Sequence, residues 1–190
     1  MSDRLTLALV GVLYLVAFPL YGGGQYLMLG GQHALGLALV LGNTFAVLGI
    51  GLLLRPLVAR TAPRTAALTL WGRALEGAIL GAGAIAYVST AGKGLGDVLN
   101  DHAYQAAMLV LSAAGAVLSR WMLAARVIPA ALAAAGVTAY LSLGVGIVLE
   151  IVGQEDLSLW FVAGAGIFEL VFALWLMARG WGGNPEEGRV

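Results

Sequence analysis

Arg73 and Glu76 are the residues whose types and spacing could do chemistry in this sequence. They lie inside residues 68–87, LTLWGRALEGAILGAGAIAY, a stretch apolar enough to cross a bilayer. A charge at the middle of a membrane costs at least about 2.5–3.5 kcal/mol on insertion scales. Such a pair persists only where it faces protein or trapped water and finds partners. Glu169, in another apolar stretch near the end of the sequence, is the obvious complement. Together these groups could form an ion pair, bind a ligand's polar end or handle a proton.

The elements that must position them are membrane helices. The chain has 190 residues, 61% hydrophobic and 11% charged, with mean hydropathy +0.92. Soluble domains carry roughly 25% charged residues, so the composition predicts an integral, all-α membrane protein. Net charge is zero, which offers no basic face to nucleic acid. The absence of cysteine excludes disulfides, thiolate metal sites, iron–sulfur clusters and a cysteine nucleophile. The glycine-rich stretches at residues 22–24 and 92–96 are not followed by GK[ST], so neither is a phosphate loop. The N-terminal apolar stretch lacks a basic n-region and a small-residue cleavage site, and is read as a retained first span.

Six segments are long enough to span: residues 5–30, 34–59, 66–90, 101–124, 129–152, and from 156 or 158 to 180, followed by a polar tail over 182–190. They make one transmembrane domain over 1–181. Pro19 with Gly22, Gly23 and Gly24 predicts a kink or break in the first span. Asp101 is the expected N-cap of the fourth, and Pro129 the first residue of the fifth. Apart from Arg73, every arginine falls on one side of this arrangement (Arg4, Arg55, Arg60, Arg64, Arg120, Arg126, Arg179, Arg189), and Lys93 falls on the other. The positive-inside rule then puts both termini in the cytoplasm. Trp71, Trp121 and Trp181 mark the cytoplasmic interface and Trp160 the outer one. All connections are short, and no inverted repeat is visible.

Depth counting sharpens the polar centre. Arg73 lies about seven residues into the third span, Glu76 about ten and Glu169 about twelve residues into the sixth from the other side, which at 1.5 Å per residue brings all three to nearly one level. An Arg73–Glu169 ion pair between helices three and six is therefore expected. Arg73 and Glu76 are also neighbours at i, i+3, but arginine before glutamate is the poorer order. A second partner for Glu76 is expected, with Arg120 the candidate; otherwise one carboxyl is protonated. Arg73, Gly77 and Gly81 share a small-residue face, as do Ala165, Glu169 and Ala173, and Gly42, Ala46 and Gly49. The cluster reads either as a structural clamp or as a ligand- or proton-handling site.

A second group lies near the outer interface: His33, His102, Asp101 and Glu150. Imidazoles with carboxylates could hold a divalent metal, and two imidazoles could ligate haem. The spacing matches no metal motif, so solvated polar caps are the simpler reading and no cofactor is predicted.

The chain resembles the bacterial six-helix membrane family known as domain of unknown function 4386. The likeness is carried by 71–80, WGRALEGAIL; 126–130, RVIPA; and 168–181, FELVFALWLMARGW, in that order. The segment between the first two spans is shorter than in many relatives. The resemblance implies a bacterial inner-membrane location and no assigned activity. The expected function is a non-enzymatic accessory subunit, or a binder of a small apolar ligand inside the bundle. Membrane lipids are the expected partners, with a larger complex or homo-oligomer formed through small-residue faces. The alternatives are a membrane-embedded enzyme acting on a lipid or quinone-like substrate, through Glu76 or Glu169 as acid–base, and a small proton-coupled carrier.

Overall fold

The computed structural model describes residues 2–91 and 93–181, and of residues 155–157 the backbone only. The polar tail expected over 182–190 lies outside the described residues. Six helices and no strand occur among the described residues: α1 Asp3–Leu29, α2 His33–Ala59, α3 Pro63–Ser89, α4 Leu95–Ala125, α5 Ala130–Ile151 and α6 Glu155–Ala178. Five of these are long and apolar enough to cross a membrane. The other, α3, has 27 residues like α1 and α2, and is the less apolar because it carries Arg73 and Glu76. A helix of that length measures about 40 Å, which exceeds a hydrocarbon core of about 30 Å and calls for tilt. The molecule is a multi-pass membrane protein, with leucine, isoleucine, valine and tryptophan side chains covering its outer surface.

Two boundaries differ from expectation. Helix α4 starts at Leu95, after Gly94 at φ +57°, so Asp101 is a residue of the second turn and not a cap. The glycine that reverses the chain sets the start, and a polar run (Asp97, Asn100, Asp101, His102) is helical although it looked like loop. Helix α1 continues through Pro19 and the three glycines without a break. Proline removes one backbone bond, but no water competes for the freed carbonyl inside a bilayer. At three other junctions local chemistry and structure agree to within a residue. Ser2 accepts from the Leu5 amide at 3.4 Å, Gly153 takes φ +82° between α5 and α6, and Pro129 stands at the N-cap of α5.

The helices pack in chain order, each against the next, and α6 closes on α1. The result is a ring of six helices one helix thick. Small residues make its walls tight. Gly24 of α1 and Gly36 of α2 meet backbone to backbone: a Cβ on Gly36 would stand 2.6 Å from the Gly24 carbonyl oxygen. Gly77 and Gly81 of α3 press on Thr44 of α2, and Thr44 Oγ1 donates to the Gly77 carbonyl at 2.9 Å. Gly11 of α1 meets the Ala173 backbone of α6, and Leu20 and Leu13 of α1 lie over Gly42 and Gly49 of α2. All three small-residue faces noted in the sequence are thus occupied by the chain's own helices. Ser112 Oγ of α4 donates to the Tyr140 carbonyl of α5 at 2.7 Å, a polar tie of the kind common between membrane helices.

Candidate functional site

Small residues let α3 sit close to its neighbours, and that closeness turns Arg73 into the lumen of the ring. Its guanidinium is buried, as are Glu76, Tyr14 and Tyr140. Arg73 Nη1 donates to both oxygens of Glu76, at 3.0 and 3.3 Å. Nη2 donates to the Tyr14 hydroxyl of α1 at 2.7 Å and to Glu169 Oε1 of α6 at 3.1 Å. Tyr140 of α5 donates to the same Glu169 oxygen at 2.8 Å. The Arg73 Cζ also lies 4.9 Å from the centre of the Tyr14 ring, within cation–π range. Arg73 therefore ties α3 to α1 and α6, and Glu169 extends the tie to α5 through Tyr140. Phe168 and Phe172 of α6 back the cluster, edge-on to Tyr140 and Tyr14 respectively and stacked on each other.

The Arg73–Glu169 contact expected from depth is present. Arg120 is not part of it. Its side chain is exposed, because Leu118, Ser119 and Met122 occupy the inward face of α4 and leave the arginine to extend toward the nearby helix end. Glu76 instead has Arg73 on both oxygens. The tyrosines Tyr14 and Tyr140 were missed. A hydroxyl near the middle of a span must find a partner there, and that depth was the signal that could have found them.

The cluster forms the floor of a cavity of about 260 Å³ on the axis of the ring, lined from all six helices. Its walls are largely apolar, with Val47, Ile50, Leu80, Met108 and Leu143 among them. Two polar groups that face it keep hydrogen-bonding capacity unused among the described residues. Asn43 of α2, only 3% exposed, lines the cavity, and its carboxamide makes no hydrogen bond among the described residues. Glu169, whose side chain is 13% exposed, engages its neighbours through Oε1 alone.

Toward the outer end lies a second, polar cavity of about 540 Å³. Asp101 and Glu150 line it, with Gln25, Asn100, Gln105 and Ser158. Glu150 accepts from Gln105 at 3.1 Å and from Ser158 at 3.4 Å. Gln25 and Asn100 exchange amide hydrogen bonds between α1 and α4. Tyr21, Tyr104 and Val162 line both cavities and form the partition. The two tyrosine rings are stacked, with centres 6.1 Å apart, and Gln25 donates to the Tyr21 hydroxyl at 3.1 Å.

The two histidines do not line this chamber. His33 is half-buried, its ring 5.9 Å from that of Tyr87, and its buried Nδ1 has no partner. His102 is exposed. Among the described residues no group of three or more His, Cys, Asp and Glu side chains could hold a metal ion, so the four outer residues do not form the ligand set that spacing left open.

The arrangement can accept a small ligand with an apolar body and a hydrogen-bonding end. No curated protein and no solved structure matches the chain. A family model described as domain of unknown function DUF4386 matches residues 28–180. That span holds Asn43, Arg73, Glu76, Tyr140 and Glu169 and leaves out, of the cluster, only Tyr14. With four fifths of its length and nearly all of its buried polar centre inside the match, the chain belongs to the DUF4386 family.

Proposed function

We propose that this protein is a non-enzymatic, intramembrane binder of a small, mostly apolar ligand, held inside the helix ring with its polar end on the Asn43, Arg73 and Glu169 floor. The observation that carries the reading is the cavity itself: apolar walls converging on a few fixed polar groups, which is the usual make-up of a small-molecule site. The carboxamide of Asn43 adds weight. Lining the cavity with no hydrogen bond among the described residues, it is placed to bond a ligand's polar end. The saturated pairing of Glu76 and the lack of a nucleophile pattern favour binding over catalysis. A role as an accessory subunit of a larger complex is compatible with this reading, although the glycine seams are already filled from within. The arginine distribution and the family resemblance support a bacterial inner-membrane location with both termini in the cytoplasm.

The test is extraction. Protein purified in mild detergent is extracted with organic solvent and the extract analysed by mass spectrometry, beside an Ala17→Leu variant that fills the cavity from α1. The expected result is a near-stoichiometric apolar compound in the parent that is depleted at least tenfold in the variant, because the added side chain would clash with a ligand packed in the cavity. Equal yields of every compound from both proteins would overturn the reading.

A further inference from the structure

The charges around the lumen do not balance. Arg73 faces two carboxylates, Glu76 and Glu169, at contact distance. The other groups facing Glu169 are neutral: Tyr14 from α1, Asn43 and the apolar residues of α2, Tyr104 from α4 and Tyr140 from α5. Among the described residues Arg73 is the sole basic side chain lining either cavity, while the outer chamber adds Asp101 and Glu150. An uncompensated negative charge in a buried site is strongly unfavourable. It must be met by a proton or by a cation from outside the chain. The walls favour an organic cation. Tyr14, Phe18, Tyr21 and Tyr104 line the central cavity, and aromatic faces attract desolvated ammonium groups. The Glu169 oxygen left free by Arg73 and Tyr140 supplies the counter-charge.

We infer, resting on the binding reading above, that the ligand of the central cavity is a lipophilic amine, bound as its ammonium ion by Glu169 and Asn43 in place of a proton. Empty, the cluster is neutral with one carboxyl protonated. As the ammonium enters, that proton leaves through the acid-lined outer chamber, and the site is neutral again. Acidic conditions therefore favour the empty form and neutral to alkaline conditions the loaded one.

The probe is benzyltrimethylammonium, a permanent cation whose own charge does not change with pH. Binding to the full chain in phosphatidylcholine nanodiscs is measured by isothermal titration calorimetry, with benzyl alcohol and benzenesulfonate as neutral and anionic counterparts. The cation is expected to bind saturably and tighter than either counterpart. Its affinity is expected to fall by roughly tenfold per pH unit over the acidic range in which the site keeps its proton. Glu169→Gln removes the counter-charge and is expected to lose at least tenfold in affinity and the pH dependence with it. Equal binding of benzyl alcohol, tighter binding of benzenesulfonate, a flat pH series or undiminished affinity in E169Q would each overturn the inference. If E169Q does not fold, the pH series on the parent decides, since it needs no variant. The binding reading itself is decided separately, by the extracted compound. A neutral compound recovered from the parent and lost from Ala17→Leu would keep that reading and sink the amine.

Discussion

Arg73 and Asn43 are both buried polar residues facing one lumen, and they predict different responses to removal. Arg73 is bonded to three groups on α1, α3 and α6. Arg73→Met leaves Glu76 without a donor, Glu169 with Tyr140 alone and both without their counter-charge, a loss of about 3–5 kcal/mol for a broken buried pair. The Asn43 carboxamide has no hydrogen bond among the described residues, so Asn43→Leu breaks no contact and is expected to leave stability within about 1 kcal/mol of the parent. Thermal unfolding of the two variants in one detergent checks the contrast. A structural role for Asn43 would make its loss costly as well. The Arg73–Glu169 contact was legible in the sequence because depth along a helix is set by a fixed rise, whatever the packing. Tyr14, Tyr140 and the exclusion of Arg120 were not legible, because they depend on rotation about each helix axis. In a chain this apolar the moment that would reveal rotation is nearly absent: apolar residues serve the lipid face as well as the core.

At the scale of the helices, the close crossings decide how wide the lumen is. Where Gly24 meets Gly36 the backbones touch, so a side chain at either position has nowhere to go except by moving a helix. Gly36→Leu is expected to destabilise by about 1–3 kcal/mol or more, the usual cost of overpacking, and to displace α2 from α1. Unfolding in detergent measures the first. A pyrene pair placed on Gln32 and Tyr26 by cysteine substitution would report the second as a loss of excimer emission. The six helices themselves were readable from length and hydropathy, and five of their starts fall within three residues of the expected ones. Helix α4 was the exception. In its first turns Asn100 and Asp101 line the outer chamber while Asp97 and His102 are exposed, and a hydropathy reading takes such a polar helix end for a connection. Helix α1 shows the reverse error: proline and glycine signals that end helices in water do not end them where the surroundings accept no stray hydrogen bond.

At the scale of the molecule, the arginines predict the orientation. The chain has no cysteine, so single substitutions give unambiguous labels. Lys93→Cys is expected to react with an impermeant maleimide on intact cells, and Arg126→Cys only after permeabilisation. The reverse pattern would overturn the proposed topology. How the helices associate was not written in any one segment, since pairwise seams say which faces touch and leave the circuit open. Its closure by α6 on α1 has a consequence for the chain's connectivity. The first and last helices are neighbours, and no crossover ties distant parts of the circuit. The polypeptide could therefore start at another loop, with its old ends joined, and enclose the same chamber. What the fold demands is a cyclic sequence of helices, and the point at which that cycle is cut is left to the gene.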